Sequence, residues 1–169
     1  VILLRHTRPE GGAGLCYGRT DLAPGAELPR EARRLAAQLP PFAKIATSPL
    51  SRCARLAEAL ALARGVPLEP DPRLAEIDFG AWEGRRWDDI PRPEIDAWAA
   101  DLMEARPHGG ESVAMLAARA APALARHEGA LIVTHMGVIR AALAQAGREG
   151  PWETRLGFGE WIELSLPKP

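Results

Sequence analysis

Residues Val1-Ile2-Leu3-Leu4-Arg5-His6-Thr7-Arg8 decide the fold class. Four apolar residues in a row read as a strand buried on both faces, as in a parallel sheet covered by helices. The run ends on Arg5-His6, which sets a guanidinium and an imidazole at the strand's carboxyl end. That is the edge at which open α/β sheets bind ligands. A second run, Ala130-Leu131-Ile132-Val133-Thr134, also ends on a histidine, His135. Both imidazoles are therefore expected at one edge of one sheet.

The rest of the chain follows the same alternation. His6 to Pro24 is a loop rich in glycine (Gly11, Gly12, Gly14, Gly18), and a run of that length in a compact domain is usually functional. Helical spacing predicts a helix through Leu28, Ala32, Leu35, Ala36 and Leu39, stopped by Pro40-Pro41. Lys44–Thr47 reads as a second strand. Ser48-Pro49 then reads as an N-cap followed by proline at the first helical position, opening a helix that Gly65 ends. Arg52 falls in its first turn, again just past a strand. Val66–Glu69 is a weak third strand, and 71–84 is a loop carrying Glu76. Further helices are expected near 95–105, over 111–127 with a kink at Pro122, and over 137–146. The period-two run Trp161–Leu166 reads as a half-exposed strand. With no repeat and no linker, residues 1–169 are expected to form one α/β domain.

Composition narrows the class. The 169 residues are 47% hydrophobic and 25% charged with a net charge of −1, which suits a globular chain with no general attraction to nucleic acid or membrane. No segment nears the length of a membrane span and no signal peptide precedes the first strand, so a cytoplasmic location is expected. Only Lys44 and Lys168 are lysine, asparagine is absent and there are 16 prolines, a bias that fits a thermophile or a GC-rich genome. Cys16 and Cys53 are too few for a disulfide framework and read as small packing residues.

The shared edge would hold Arg5, His6, Arg52 and His135, with Glu76 on a nearby loop. Arginine forks match phosphate oxygens, and the helices after Ser48 and His135 would add N–H donors. A neutral imidazole can attack phosphorus without a metal or cofactor, and a nearby carboxylic acid can protonate the leaving oxygen and later deprotonate water. Glu83 and Asp78 sit in the same loop as Glu76 and compete for that role. Tyr17 and Trp82 could line the mouth or belong to the core. His108 and His127 read as solvent or helix-end residues, Arg85-Arg86 as a solvated turn, and Glu111-Ser112 as a capped helix start.

LLRHTRPE, SPLSRC, LAEIDFGAWEG, GGES and VTHMGVIR, in that order from Leu3 to Arg140, resemble the motifs of the histidine phosphatase (phosphoglycerate mutase-like) superfamily. The resemblance implies a three-layer α/β/α sandwich whose mainly parallel sheet has one antiparallel strand. It implies His6 as the phosphorylated nucleophile, Arg5 and Arg52 as a phosphoryl clamp, His135 as a donor to the transition state and Glu76 as general acid and base. It also places Glu111-Ser112 near the site. Thr7 and Met136 stand where the family usually has glycine; Met136 is expected to keep its N–H on the phosphate while its side chain narrows the pocket. The stretch RHTRPEGGAGLCYGRTDLAP resembles the alpha-ribazole phosphatase branch, with Thr7, Tyr17 and Met136 on the substrate side.

The expected activity is hydrolysis of a small phosphomonoester, alpha-ribazole 5′-phosphate of cobalamin biosynthesis foremost, by a chain that needs no cofactor and whose expected partners are its small-molecule substrate and a second copy in a homodimer. A cofactor-dependent phosphoglycerate mutase and a broad-specificity phosphatase are the alternatives within the family; mutases are typically longer, with helical segments that shield the phosphoenzyme. A metal hydrolase built on His6, Glu10, Glu76 and His135 is disfavoured because Arg5 and Arg52 would repel the cation. An RNA-binding module is disfavoured because acids balance the arginines and stacking aromatics are not clustered.

Overall fold

The computed structural model describes residues 1–167. Its centre is the pairing of β1 (Ile2–Arg5) with β4 (Leu131–Thr134), parallel and in a register that sets Arg5 against Thr134. On the far side of β4 lies β2 (Ile45–Thr47), followed by the edge strand β3 (Leu68–Pro70), both parallel. On the far side of β1 lies β5 (Trp161–Glu163), the one antiparallel strand. The order is β3-β2-β4-β1-β5.

Strand residues alternate between two cores, as the pleat demands. Leu3, Ala46 and Ile132 meet Leu116, Ala120, Val138 and Ala142 of α4 (Val113–Arg126) and α5 (Met136–Gln145). Leu4, Ile45, Leu131 and Val133 meet Leu35, Leu56 and Leu60 of α1 (Leu28–Gln38) and α2 (Ser51–Arg64). This is the expected three-layer α/β/α sandwich. Among the described residues no helix is long and apolar enough to cross a membrane.

Several sequence expectations shift. The helix after β2 does not start from a Ser48 cap: Leu50 is its N-cap, in extended backbone, and the Ser48 hydroxyl accepts from the Leu50 N–H while also meeting His135. Gly65 does end it, in the left-handed conformation at φ 64°. The helix expected near 95–105 is α3 (Arg92–Ala100), because Pro91 and Pro93 favour an earlier start. Strand β3 begins two residues late, and β5 stops at Glu163. Ser112 caps α4 as read, accepting from the Met115 N–H, and the helix continues through Pro122.

Neither His108 nor His127 is a solvent residue. His127 closes α4, is fully buried and lies 3.0 Å from Asp71, whose carboxylate also takes Arg73. The Asp71 contact offsets part of the cost of burying a polar ring, at Nε2; Nδ1 is buried without a partner. His108 packs beside Phe79 and Trp82. Trp82 is likewise core, fully buried with its indole N–H on Glu94.

Two loops that overhang the sheet's carboxyl edge are sewn together by Glu83. Its carboxylate accepts from the N–H groups of Gly18, Arg19, Thr20 and Phe79 and from the Thr20 hydroxyl. At Gly18 the loops approach so closely that a Cβ would stand 1.7 Å from the Ile77 carbonyl oxygen. Gly18→Ala must push the two loops apart. It is expected to cost about 1–3 kcal/mol as an overpacked site, read as a lower urea midpoint at unchanged slope.

Candidate active site

The sheet register assembles the site. The His6 N–H donates to the Thr134 carbonyl and the Ser48 N–H to the Val133 carbonyl, each at 3.0 Å, so the pairing runs on past the strand ends. His6, Ser48 and His135 thus leave three neighbouring strands side by side. The rings of His6 and His135 meet edge-on with centroids 5.2 Å apart.

The His6 tautomer follows from its neighbour. Nδ1 lies 2.7 Å from the Thr7 carbonyl, which can only accept. Nδ1 therefore carries the hydrogen, and Nε2 keeps a free lone pair. Burial lowers the His6 pKa to about 3. The Thr7 hydrogen bond opposes that shift, and the charges of Arg52 and Arg5 reinforce it. His135 is fully buried and held neutral by the same causes: desolvation first, then His6 and the arginines. Its Nε2 sits 2.8 Å from Ser48 Oγ, with Cys53 Sγ packed at 3.4 Å.

Both arginines are in place around the imidazoles. Arg52 is fully buried and gives its two terminal nitrogens to the carbonyls of Thr20 and Gly18, while its guanidinium stands 5.2 Å from the Tyr17 ring. Arg5 donates to the Leu156 carbonyl and lies 4.0 Å over the Phe158 ring. Arg5 Nε, Arg52 Nε and Thr7 Oγ1 are buried without a hydrogen-bond partner in the protein. Such groups are costly to leave unpaired, so each is a polar demand that the protein itself does not meet.

Glu76 comes in on its own loop, close enough to Arg5 for the two charges to interact. Its carboxylate accepts from the Gly137 N–H at 3.2 Å and from its own neighbour Ile77 at 3.0 Å, so it faces the N-terminus of α5. A Cβ on Gly137 would fall 2.2 Å from that carboxylate, which explains a glycine there. The competing acids are otherwise occupied. Burial pushes the Glu83 pKa up, but its ring of donors, Thr20 and Phe79 foremost, pulls it below the usual value. Asp78 binds the Gly80 N–H. Met136 is the first residue of α5 and lines a cavity of about 120 Å³ with Glu76, Arg140 and Trp152.

Phe158 and Ser48 are site residues that sequence reasoning missed. Phe158 lies 5.5 Å from the His6 ring because β5 is antiparallel, which places its start beside the end of β1. The period-two pattern signals a strand and not its direction. Ser48 carries a cap signature, and only the position of His135 shows what its hydroxyl meets.

This chain belongs to the histidine phosphatase superfamily (branch 1), whose family model matches residues 1–163. It is similar to an adenosylcobalamin/alpha-ribazole phosphatase of Escherichia coli, 27% identical over 74% of this chain and 68% of that protein. A probable phosphoglycerate mutase of Proteus mirabilis is 32% identical over 80% of this chain and 68% of its own length. Among solved structures, the alpha-ribazole phosphatase from Shigella flexneri superposes with a TM-score of 0.83 at 27% identity, covering 95% of this chain and 87% of that one.

Burial of neutral imidazoles has a measurable consequence. Between the unfolded pKa of about 6.5 and the folded value near 3, the unfolded chain binds a proton at His6 that the folded protein does not. Stability therefore falls as pH drops through that window, by up to about 1.4 kcal/mol per pH unit for each such histidine. Urea unfolding from pH 7 to pH 4.5 should show this loss in the wild type and a shallower one in His6→Gln. Equal slopes would contradict it.

Proposed function

We propose that the chain is a phosphomonoesterase that works through phospho-His6, with Arg5 and Arg52 binding the phosphoryl oxygens. The observation that carries this reading is the His6 tautomer: Nδ1–H is spent on Thr7, so Nε2 is a neutral nucleophile with its lone pair available. Nε2 forms a bond to phosphorus as the ester P–O bond breaks, and Glu76 delivers a proton to the departing oxygen. Glu76, now a carboxylate, takes a proton from the water that attacks the phosphohistidine. The P–N bond breaks, phosphate leaves and His6 is restored. Ser48 Oγ lies 2.8 Å from His135 Nε2; an O–H donated there would leave the His135 proton on Nδ1, as a donor to the developing charge.

For the alcohol half the reading is alpha-ribazole 5′-phosphate. A cavity of about 430 Å³ adjoins the anion cleft and is lined by Arg8, Tyr17, Trp87, Phe158 and a floor that includes Gly11 and Gly14. Three aromatic walls suit a flat heterocyclic base, and two of the relatives named above are alpha-ribazole phosphatases. Phosphoglycerate mutase activity is the second reading, favoured by the Proteus mirabilis relative. The two part on product: free phosphate for the hydrolase, an isomer for the mutase.

His6→Ala should lower turnover by at least about 10³-fold, given what an enzyme loses with its nucleophile. Acid-labile phosphate should appear on the wild type during rapid-quench turnover, and EDTA should leave the rate intact; loss of activity on chelation would refute the mechanism. Trp87→Leu should raise KM for alpha-ribazole 5′-phosphate about tenfold, the worth of one aromatic contact, and leave ribose 5-phosphate unaffected.

A further inference from the structure

We infer that Arg119 and Glu111 are positioning residues for Glu76, acting through the backbone on both sides of it. The inference rests on the reading of Glu76 as general acid, and it concerns what holds that acid in place.

Glu76 sits in an irregular segment, between a single turn at Pro72–Leu74 and another at Gly80–Trp82. No helix or strand ladder fixes the backbone there, so its polar groups need other partners. One side chain supplies three of them. From α4, Arg119 Nη1 donates to the carbonyls of Arg73 and Ala75 at 2.7 and 3.0 Å, and Nη2 to that of Glu76 at 3.4 Å. Its Nε and Nη2 also grip the two oxygens of Glu111 at 2.7 and 2.8 Å. A guanidinium has five N–H donors, and this fork spends all of them.

Glu111 completes the clamp from the other side. Its carboxylate accepts from the Asp78 N–H at 3.2 Å, and its own N–H donates to the Asp78 carbonyl at 2.8 Å. One ion pair thus holds residues 73, 75 and 76 before the acid's side chain and residue 78 after it. The pair is largely sheltered, with side chains 19% and 11% exposed. Burial alone would raise the Glu111 pKa, yet Arg119 brings it below the usual value, so the carboxylate stays ionised.

The hydrogen bonds of both residues go to the loop around Glu76 and to each other, not to the imidazoles or the phosphoryl arginines. Their effect should fall on the step that needs Glu76. A lysine keeps the charge of Arg119 but cannot reproduce the planar fork, so it would loosen the loop without leaving a buried carboxylate unpaired. A displacement of about 1 Å at a catalytic group costs up to about 10²-fold.

Leaving-group dependence separates positioning from general damage. The alkoxide of an alkyl monoester needs protonation as it departs; p-nitrophenolate hardly does. Since kcat/KM runs only through release of the alcohol, it isolates the acid role. In Arg119→Lys and Glu111→Gln, kcat/KM for ribose 5-phosphate is expected to fall about 30-fold or more while that for p-nitrophenyl phosphate changes less than about threefold, within the range of one general acid. Glu76→Gln sets the reference, with the same selectivity and a larger loss, and adding Arg119→Lys to it should cost little more. Should Arg119→Lys fail to fold, Glu111→Gln decides. Equal losses on both esters, or losses that add fully to Glu76→Gln, overturn the inference while leaving Glu76 as the acid. Equal losses on both esters in Glu76→Gln itself would instead overturn the acid assignment, and this inference with it.

Discussion

The parallel pairing of β1 with β4 is the constraint from which the site follows. Because Arg5 stands opposite Thr134, the next residue of each strand is a histidine, and the two rings meet at 5.2 Å. Both faces of these strands are sealed by helices, and the rings leave the sheet into buried positions. Two buried imidazoles beside two guanidiniums can only be neutral. Neutrality, which looks like a by-product of packing, is what a nucleophilic nitrogen requires.

Charge in the cleft is arranged around that neutrality. Arg52 is anchored by two carbonyls of the glycine-rich loop and Arg5 by one from the C-terminal loop, so neither guanidinium is free to fold onto a carboxylate. Glu76 is kept apart from them at the N-terminus of α5, where the helix dipole and the Gly137 N–H favour it. Glu83, seven residues on, is consumed in joining two loops. Acids that sit close together along the chain therefore hold different backbone: Glu83 ties Gly18, Arg19 and Thr20 to Phe79, and Glu76 accepts from Ile77 and Gly137.

Comparison with the sequence shows where local signals stop. The alternation that sends Leu3 to one core and Leu4 to the other is legible, as are the glycine that ends α2 and the serine that caps α4. Ser48 is the instructive failure. Serine before proline is a good cap signature, but the helix starts at Ser51 and the hydroxyl meets a histidine 87 residues away. His127 is half legible: its place at a helix end is local and holds, whereas its burial involves Asp71, which comes from beyond β3.

The sequence by itself determined the layers and the class of chemistry, because hydrophobic period and strand-ending residues are properties of a few neighbouring positions. It also carried the family, through motifs spread from Leu3 to Arg140. Only the tertiary structure decided which nitrogen of His6 is free, that Phe158 walls the cleft, and that Arg119 grips the backbone around Glu76. Each of these is a contact between segments far apart in the chain, set by sheet order and by angstrom-scale hydrogen-bond geometry that no short-range pattern encodes.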